Sequence, residues 1–370
     1  MHGQWLGRFK DGAAEGLIVV DVDDAGTCFE GRAHLFYDDK NYPTAQSYFR
    51  TSDRHTRQTV TVNPLPLNSV GQVLSQHDLA AAYPDIPFQW EPIEVSLEWD
   101  DRTLGLKWGN APEGGEANCQ RNHPDNPSNL VAHPDVKNWK QFREFVVELE
   151  HDRFVFRGQP SRWRLRTSFH RTKRKDLVSF AIRDIPDLHK VLSAQTQHYF
   201  DLNDRLENAA FWHLLQHHGY PTPLLDWTRS PFVAAYFAFR RDPLRPPQQE
   251  FVRITVFDRK SWVSDFIQVP FSTGVRPHFS VLDPVVIGNG RALPQQATSF
   301  ITNCDDIETY IKFRENEKQN QYLYCFDLPV LEQERVLREL NLMGVSPGSL
   351  FPGLDGACQE MKARHFGYSS

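Results

Sequence analysis

The sequence predicts an α+β protein, with an antiparallel β-sandwich or barrel over residues 1–132 and a mixed α+β region over 133–370. Two observations carry this. Before Ala132 apolar residues alternate with polar ones and no helical period emerges. From Asn138 onward, apolar residues recur at helical spacing between short alternating strands.

The elements follow in order. Leu17 to Val20 is a short apolar strand, and Ala33, Leu35 and Tyr37 alternate, as do Val60 and Val62. Ile93, Val95, Leu97 and Trp99 alternate with Glu94, Ser96 and Glu98. The turn Asp100-Asp101 then leads into Leu104, Leu106 and Trp108, a hairpin with one buried and one wet face. Gly109 to Asn129, rich in Gly, Pro, Asn and Asp, reads as an exit loop and linker. Trp139, Phe142, Phe145, Val146 and Leu149 share a helix face, and Phe154 to Phe156 is a strand ending at Arg157-Gly158. Residues 187–218 read as one long helical stretch stopped by Gly219. Ser230-Pro231 is an N-cap followed by a first-turn proline, opening the apolar helix Phe232 to Phe239. Val252, Ile254 and Val256 form a further strand, Tyr322 to Leu328 the last, and Pro329 to Leu340 a helix, after which the tail from Ser346 packs back.

Composition narrows the class. The chain has 370 residues, 40% hydrophobic and 24% charged, with a formal net charge of −6, as expected of a globular protein rather than a disordered one. No apolar run approaches the ~20 residues of a membrane span, and Met1 to Lys10 lacks the apolar stretch and cleavage site of an export signal. A cytoplasmic protein with no membrane partner is expected. Cys28, Cys119, Cys304, Cys325 and Cys358 are scattered, with no CxxC pair, so neither a disulfide framework nor a zinc ribbon is expected.

Candidate chemistry lies in three places. Between Arg153 and Lys175 there are nine basic residues and no acid. Arg162, Arg164, Arg166, Arg171, Lys173, Arg174 and Lys175 either form a solvated basic loop or favour phosphate-bearing partners such as nucleic acid. Arg157, followed by Gly158 and Gln159, either grips a phosphate or ribose through its fork of donors or ties its strand to a loop carbonyl. Gly158 there lets backbone and ligand come close. From Leu215 to Pro231, polar groups run into a helix N-terminus, where free N–H groups and the helix dipole favour an anion. Thr228 and Ser230 are ligand-facing hydroxyls or caps, Ser230 more readily a cap. Gln216 and His217 are ligands or a bonded helix end. Asp226 is a base or a buried acid tying down Arg229 or the loop. His213 and His217 lack a completing acid, so no metal is expected.

Phe156-Arg157-Gly158-Gln159, with "LQHHGYPTPLLDWTRSPFVAAYFAF" over 215–239, resembles the FRG domain family, the likeness running from about Asn138 to Ile301, with "LFPGLDG" at 350–356 similar to the ends of such proteins. The motif order is also similar to the ADP-ribosyltransferase fold. The resemblance implies an NAD-dependent ADP-ribosyltransferase, with NAD as substrate and no metal. It would be a toxin or defence effector modifying a nucleic acid, RNA slightly favoured, or a protein, with an antitoxin or chaperone as further partner. In that scheme Arg157 anchors the NAD phosphate or adenine ribose, Thr228 and Ser230 hold the nicotinamide ribose, and Gly158, Gln159, Gln216 and His217 complete the cofactor site. The third motif falls in Arg291 to Phe300, which lacks the glutamate of many transferases, so Gln295, Gln296 or Arg291 takes its place. A nucleotide- or nucleic-acid-binding module without catalysis is the alternative on the same fold.

Overall fold

The computed structural model describes every residue except 70, 87, 89, 110–113, 241–249, 270, 272–273, 283–289 and 368–370. Two antiparallel sheets organise the described chain. The first has nine strands: β1 (Gly3–Asp11), β2 (Ala14–Asp24), β3 (Phe29–Tyr37), β4 (Thr44–Arg50), β5 (Arg57–Val62), β6 (Leu65–Leu67), β7 (Ile93–Trp99), β8 (Thr103–Trp108) and β9 (Gly115–Arg121). Their order is β5-β7-β8-β9-β1-β2-β3-β4-β6. The sheet curls until β4 and β5 touch without pairing, giving a half-barrel. The alternation that foretold these strands places Trp5, Val20, Leu97 and Leu104 inside. The hairpin pairs as expected, Leu97 opposite Leu106.

Two local expectations fail. A short helix, α1 (Gln76–Ala82), lies within the β-rich region. It buries only Leu79, so it leaves no periodic trace, and its start is marked by the Ser75 side chain accepting from the Asp78 N–H. The stretch taken as an exit loop contains β9, whose Ala117 and Cys119 face the core while polar neighbours face water. Residues 110–113 of that stretch lie outside the described residues.

The second sheet contains β10 (Phe154–Gln159), β11 (Leu224–Thr228), β12 (Phe251–Asp258), β13 (Phe279–Leu282), β14 (Ala297–Thr302) and β15 (Leu323–Pro329), in the order β13-β14-β11-β10-β12-β15. Helices cover both faces. On one side α2 (Trp139–Val147), α6 (Pro231–Phe239) and α9 (Gln333–Leu342) enclose Val252, Ile254 and Val256 of β12. On the same face, beside them, α3 (Leu177–Arg183), α4 (Ile185–Thr196) and α5 (Arg205–His217) pack against Leu224 and Ile301, while the other face carries α7 (Arg259–Asp265) and α8 (Ile307–Lys318). The short α10 (Pro347–Leu350) and α11 (Leu354–Phe366) end the described chain. The helix-compatible stretch 187–218 holds two helices: Gln197 turns left-handed at φ 54°, and Asp204 caps the second by accepting from the N–H groups of Leu206 and Glu207. α6 begins where Ser230-Pro231 signals it, and it is apolar around most of its surface because it is buried between the sheet and α2 and α9.

Burial leaves a pH signature. His34 and His278 are enclosed, and burial pulls each from the ordinary 6.5 down to about 4. The unfolded chain takes up these protons near pH 6.5 and the folded chain only near 4. Their contribution is therefore intact above pH 6.5 and is lost as pH falls through that window. The buried acids Asp21, Asp305 and Glu308, raised by burial, act with the opposite sign. The informative quantity is therefore the difference between parent and variant. Urea midpoints at pH 7.5 and 4.5 are expected to fall less in His278→Gln than in the parent; an equal fall would show that His278 protonates freely in the folded state.

Candidate active-site cleft

The second sheet splits at its centre. β10 pairs with β12 along its whole length, and β11 with β14, but β10 and β11 meet only at Phe156 opposite Thr228. Beyond that pair the strands diverge, and a cleft of about 540 Å³ opens between them. Arg157, Gly158 and Gln159 contribute one wall, Asp226 to Thr228 another, and His213, Gln216 and His217 of α5 a third. Arg291, Gln295 and Phe351 close it from the C-terminal part of the chain.

Arg157 spans the split. One guanidinium nitrogen, Nη1, donates to the Asp226 carbonyl at 2.5 Å, while Nε is buried without a partner among the described residues. It thus makes the carbonyl tie that was one of its two expected roles, and it also faces the cleft. Burial, with Arg171 nearby, lowers its pKa to about 10, against the pull of Asp226. It therefore stays a cation at neutral pH. Arg171, which also lines the cleft, is lowered by burial and by Arg166, and makes no ion pair among the described residues. With Arg240 and Arg291, the described lining residues include four guanidinium groups and one carboxylate. Such a cleft favours an anion.

That carboxylate belongs to Asp226. It is exposed, and it is held from two sides: Gln216 Nε2 donates to Oδ2 at 2.8 Å and Ser299 Oγ to Oδ1 at 2.9 Å. It forms no ion pair with Arg229, which lines a neighbouring groove with Glu150, His151 and Gln296. A second cavity of about 250 Å³ adjoins the cleft and shares Arg157, Arg171, Gln216 and Asp226 with it, adding Ser168 and Tyr220. Aromatic surface is supplied by Trp163, Trp227, Phe237 and Phe351, with Arg291 lying 5.4 Å over the Phe351 ring. Burial, then Arg291 and His218, lower the pKa of His217, so it is a neutral imidazole at neutral pH.

Several predicted site residues do other work. Gly158 is required by packing: a Cβ there would stand 1.8 Å from the Ala234 carbonyl oxygen, so the glycine admits α6 against β10 rather than a ligand. Thr228 Oγ1 donates to the Gln295 carbonyl at 2.7 Å and accepts from the Ser230 N–H at 3.0 Å, which fastens the end of β11. Ser230 is the cap of α6, accepting from Val233 N–H at 3.3 Å. It is not on the cleft wall. Gln295 reaches the cleft, but its amide donates to the Leu350 carbonyl at 3.0 Å. Gln296 does not reach it. A left-handed φ of 46° turns that residue into the groove with Glu150, His151 and Arg229.

The basic run is not a free electropositive surface. Arg162 pairs with Asp327 at 2.9 Å, Arg164 with Asp306 at 2.6 Å, Arg166 with Asp305 at 2.7 Å, and Arg174 with Asp23 at 2.6 Å. Lys175 is buried beside Asp305, its ammonium donating to the carbonyls of His170 and Thr172. The acids lie far away in sequence, which is why a window over 153–175 shows only positive charge. Of the seven residues proposed for nucleic acid, Arg162, Arg171 and Lys173 are exposed; Arg162 is held by Asp327, and Arg171 faces the cleft.

Sequence reasoning gave no role to Ser299, Arg240, His213 or Phe351. Ser299 is one residue before Phe300 in the third motif, and Phe351 is the second residue of the tail at 350–356, so both lie within motifs visible in the sequence.

Fold and cleft together define a mixed α+β protein whose split antiparallel sheet holds an arginine-lined cleft. Residues 152–245, about a quarter of the chain, match the family model of the FRG domain. That match spans β10, α3 to α6 and β11, and so contains Arg157, Gln216 and Asp226. No curated protein and no solved structure matches the chain significantly. Among the described residues no helix is long and apolar enough to cross a membrane, and no cluster of three or more His, Cys, Asp or Glu could hold a metal ion.

Proposed function

We propose that the cleft binds NAD and transfers its ADP-ribosyl group to a macromolecular acceptor. One observation carries the reading. The lone carboxylate among the described cleft-lining residues, Asp226, is oriented by Gln216 and Ser299 beside Arg157, where the central strands part. Arg157 and Arg171 oppose the pyrophosphate charge, and the aromatic walls receive the bases. Breaking the C1′–N bond sends its electron pair to nicotinamide, which leaves neutral, and develops positive charge on the ribose. A carboxylate fixed in advance stabilises that charge and accepts a ribose hydroxyl, in the place the glutamine side chains were expected to fill. The acceptor enters through the adjoining cavity, forms the new bond to C1′, and releases its proton to Asp226 or water. Modification of an essential RNA or protein in this way would make the chain a toxin or defence effector with a neutralising partner.

A second reading has one observation in its favour: the Thr228 and Ser230 hydroxyls are engaged by the scaffold. It takes the cleft as a nucleotide-binding module without turnover. The discriminating experiment incubates the full chain with NAD and total cell RNA and protein, following nicotinamide release and ADP-ribose by mass spectrometry. Asp226→Asn, which keeps shape and loses charge, is expected to lower turnover at least ~10²-fold with NAD affinity little changed. Arg157→Ala is expected to weaken NAD binding itself. Saturable NAD binding with no nicotinamide release selects the second reading, and no NAD binding removes both.

A further inference from the structure

The half-barrel has an interior of its own. We propose that it is a binding site for a small amphiphilic cation, an ammonium head on an apolar body of roughly ten carbon atoms. A cavity of about 310 Å³ lies against the concave face of the nine-stranded sheet. Its walls are apolar, with Ile18, Phe49, Val60, Leu97 and Leu106 facing inward. Space remains because Ala33, Ala45 and Ser47 occupy wall positions where larger side chains would fill a closed core. Water gains few partners in such a cavity, whereas an apolar body gains contact on all sides.

One end of the cavity is different. Asp11, Tyr37, Tyr42 and Trp108 line it together. Asp11 accepts from the Tyr37 hydroxyl at 3.4 Å and from the Trp108 indole N–H at 3.3 Å. Both contacts are long, both donors are neutral, and Asp11 forms no ion pair among the described residues. The Tyr37 and Tyr42 rings stack at 4.9 Å. A carboxylate without a counter-ion, framed by three aromatic side chains, suits an ammonium group through charge and through the faces of the rings. A carboxylate or phosphate head meets repulsion in the same place. The polar end and the apolar body lie in one continuous cavity, so a single ligand satisfies both.

The test titrates the full chain with decyltrimethylammonium, 1-decanol and decanoate, each below its micelle concentration, with calorimetry and tryptophan fluorescence as readouts. The cation is expected to bind at least tenfold more tightly than decanoate, with decanol between them. Asp11→Asn, at the rim of the half-barrel, is expected to abolish that preference while decanol binding stays unchanged. Ala45→Phe, which fills the cavity, is expected to abolish binding of all three, with an unfolding transition confirming the fold. Arg157→Ala is expected to bind the cation as the parent does, which separates this site from the cleft. Equal binding of the three probes, no binding of any, or a preference that survives Asp11→Asn would overturn the proposal.

Discussion

Gly158→Ala is expected to destabilise the protein by about 3 kcal/mol or more. The added Cβ would lie 1.8 Å from the Ala234 carbonyl oxygen, 2.8 Å from its carbon and 2.7 Å from the Ala238 nitrogen. All three are backbone atoms of α6, and α6 is held between Trp139, Val336 and the sheet. Nor can β10 retreat, because Gly158 is registered opposite Ile254 in a fully paired ladder. Neither side has a flexible side chain to move, so strand and helix must separate. Gly105→Ala is the control. Its Cβ would meet only the Glu98 carbonyl oxygen at 3.7 Å, an ordinary contact, and a change within about 0.5 kcal/mol is expected. Urea unfolding of both variants decides the matter, and equal losses at the two positions would refute the packing account. The result bears on the site as well: the glycine of the Phe-Arg-Gly triplet maintains the wall of the cleft, while the arginine beside it lines the cleft.

Asp305→Ala is expected to cost about 3–5 kcal/mol. Asp305 is 1% exposed and accepts from Arg166 Nε at 2.7 Å, with the Lys175 ammonium 3.7 Å away. Removing it leaves two cations enclosed with their compensation reduced. Its N–H also donates to Gln4 Oε1 at 3.0 Å, so the carboxylate sits where β1 of the half-barrel meets the second sheet. Burial raises the pKa of Asp305, and Lys175 and Arg166 oppose that rise. The surface pair Arg57–Glu98, whose side chains are 80% and 65% exposed, gives the contrast. Arg57→Ala is expected to change stability by about 1 kcal/mol at most, with the effect vanishing in high salt. Denaturation of both variants in low and high salt tests this. A loss at Asp305 that disappears with added salt would mean the cluster is open to solvent.

Local chemistry was legible in the sequence where one element decides its own structure. The hairpin at 93–108, the Ser230 cap and the arginine at the end of β10 could all be read because alternation, a capping hydroxyl and a strand end are short-range signals. What could not be read was set by distant partners. The basic run is neutralised by Asp23, Asp305, Asp306 and Asp327, each more than 130 residues from its partner. The stretch Arg291 to Phe300 was read for a glutamate substitute among its glutamines, whereas the left-handed turn at Gln296 sends that side chain away and leaves Asp226, on another strand, as the acid. The helix at 76–82 was missed because one buried leucine makes no period.

The junction of Phe156 with Thr228 has a mechanical consequence. Each half is braced by its own ladder, and the two share a single strand pair. Across the split they are tied by Val155 and Phe257 packing with Trp227 and Phe300, and by α6, which touches β10, β11 and β12, so the spacing of the cleft walls is set by how side chains fill that joint rather than by strand pairing alone.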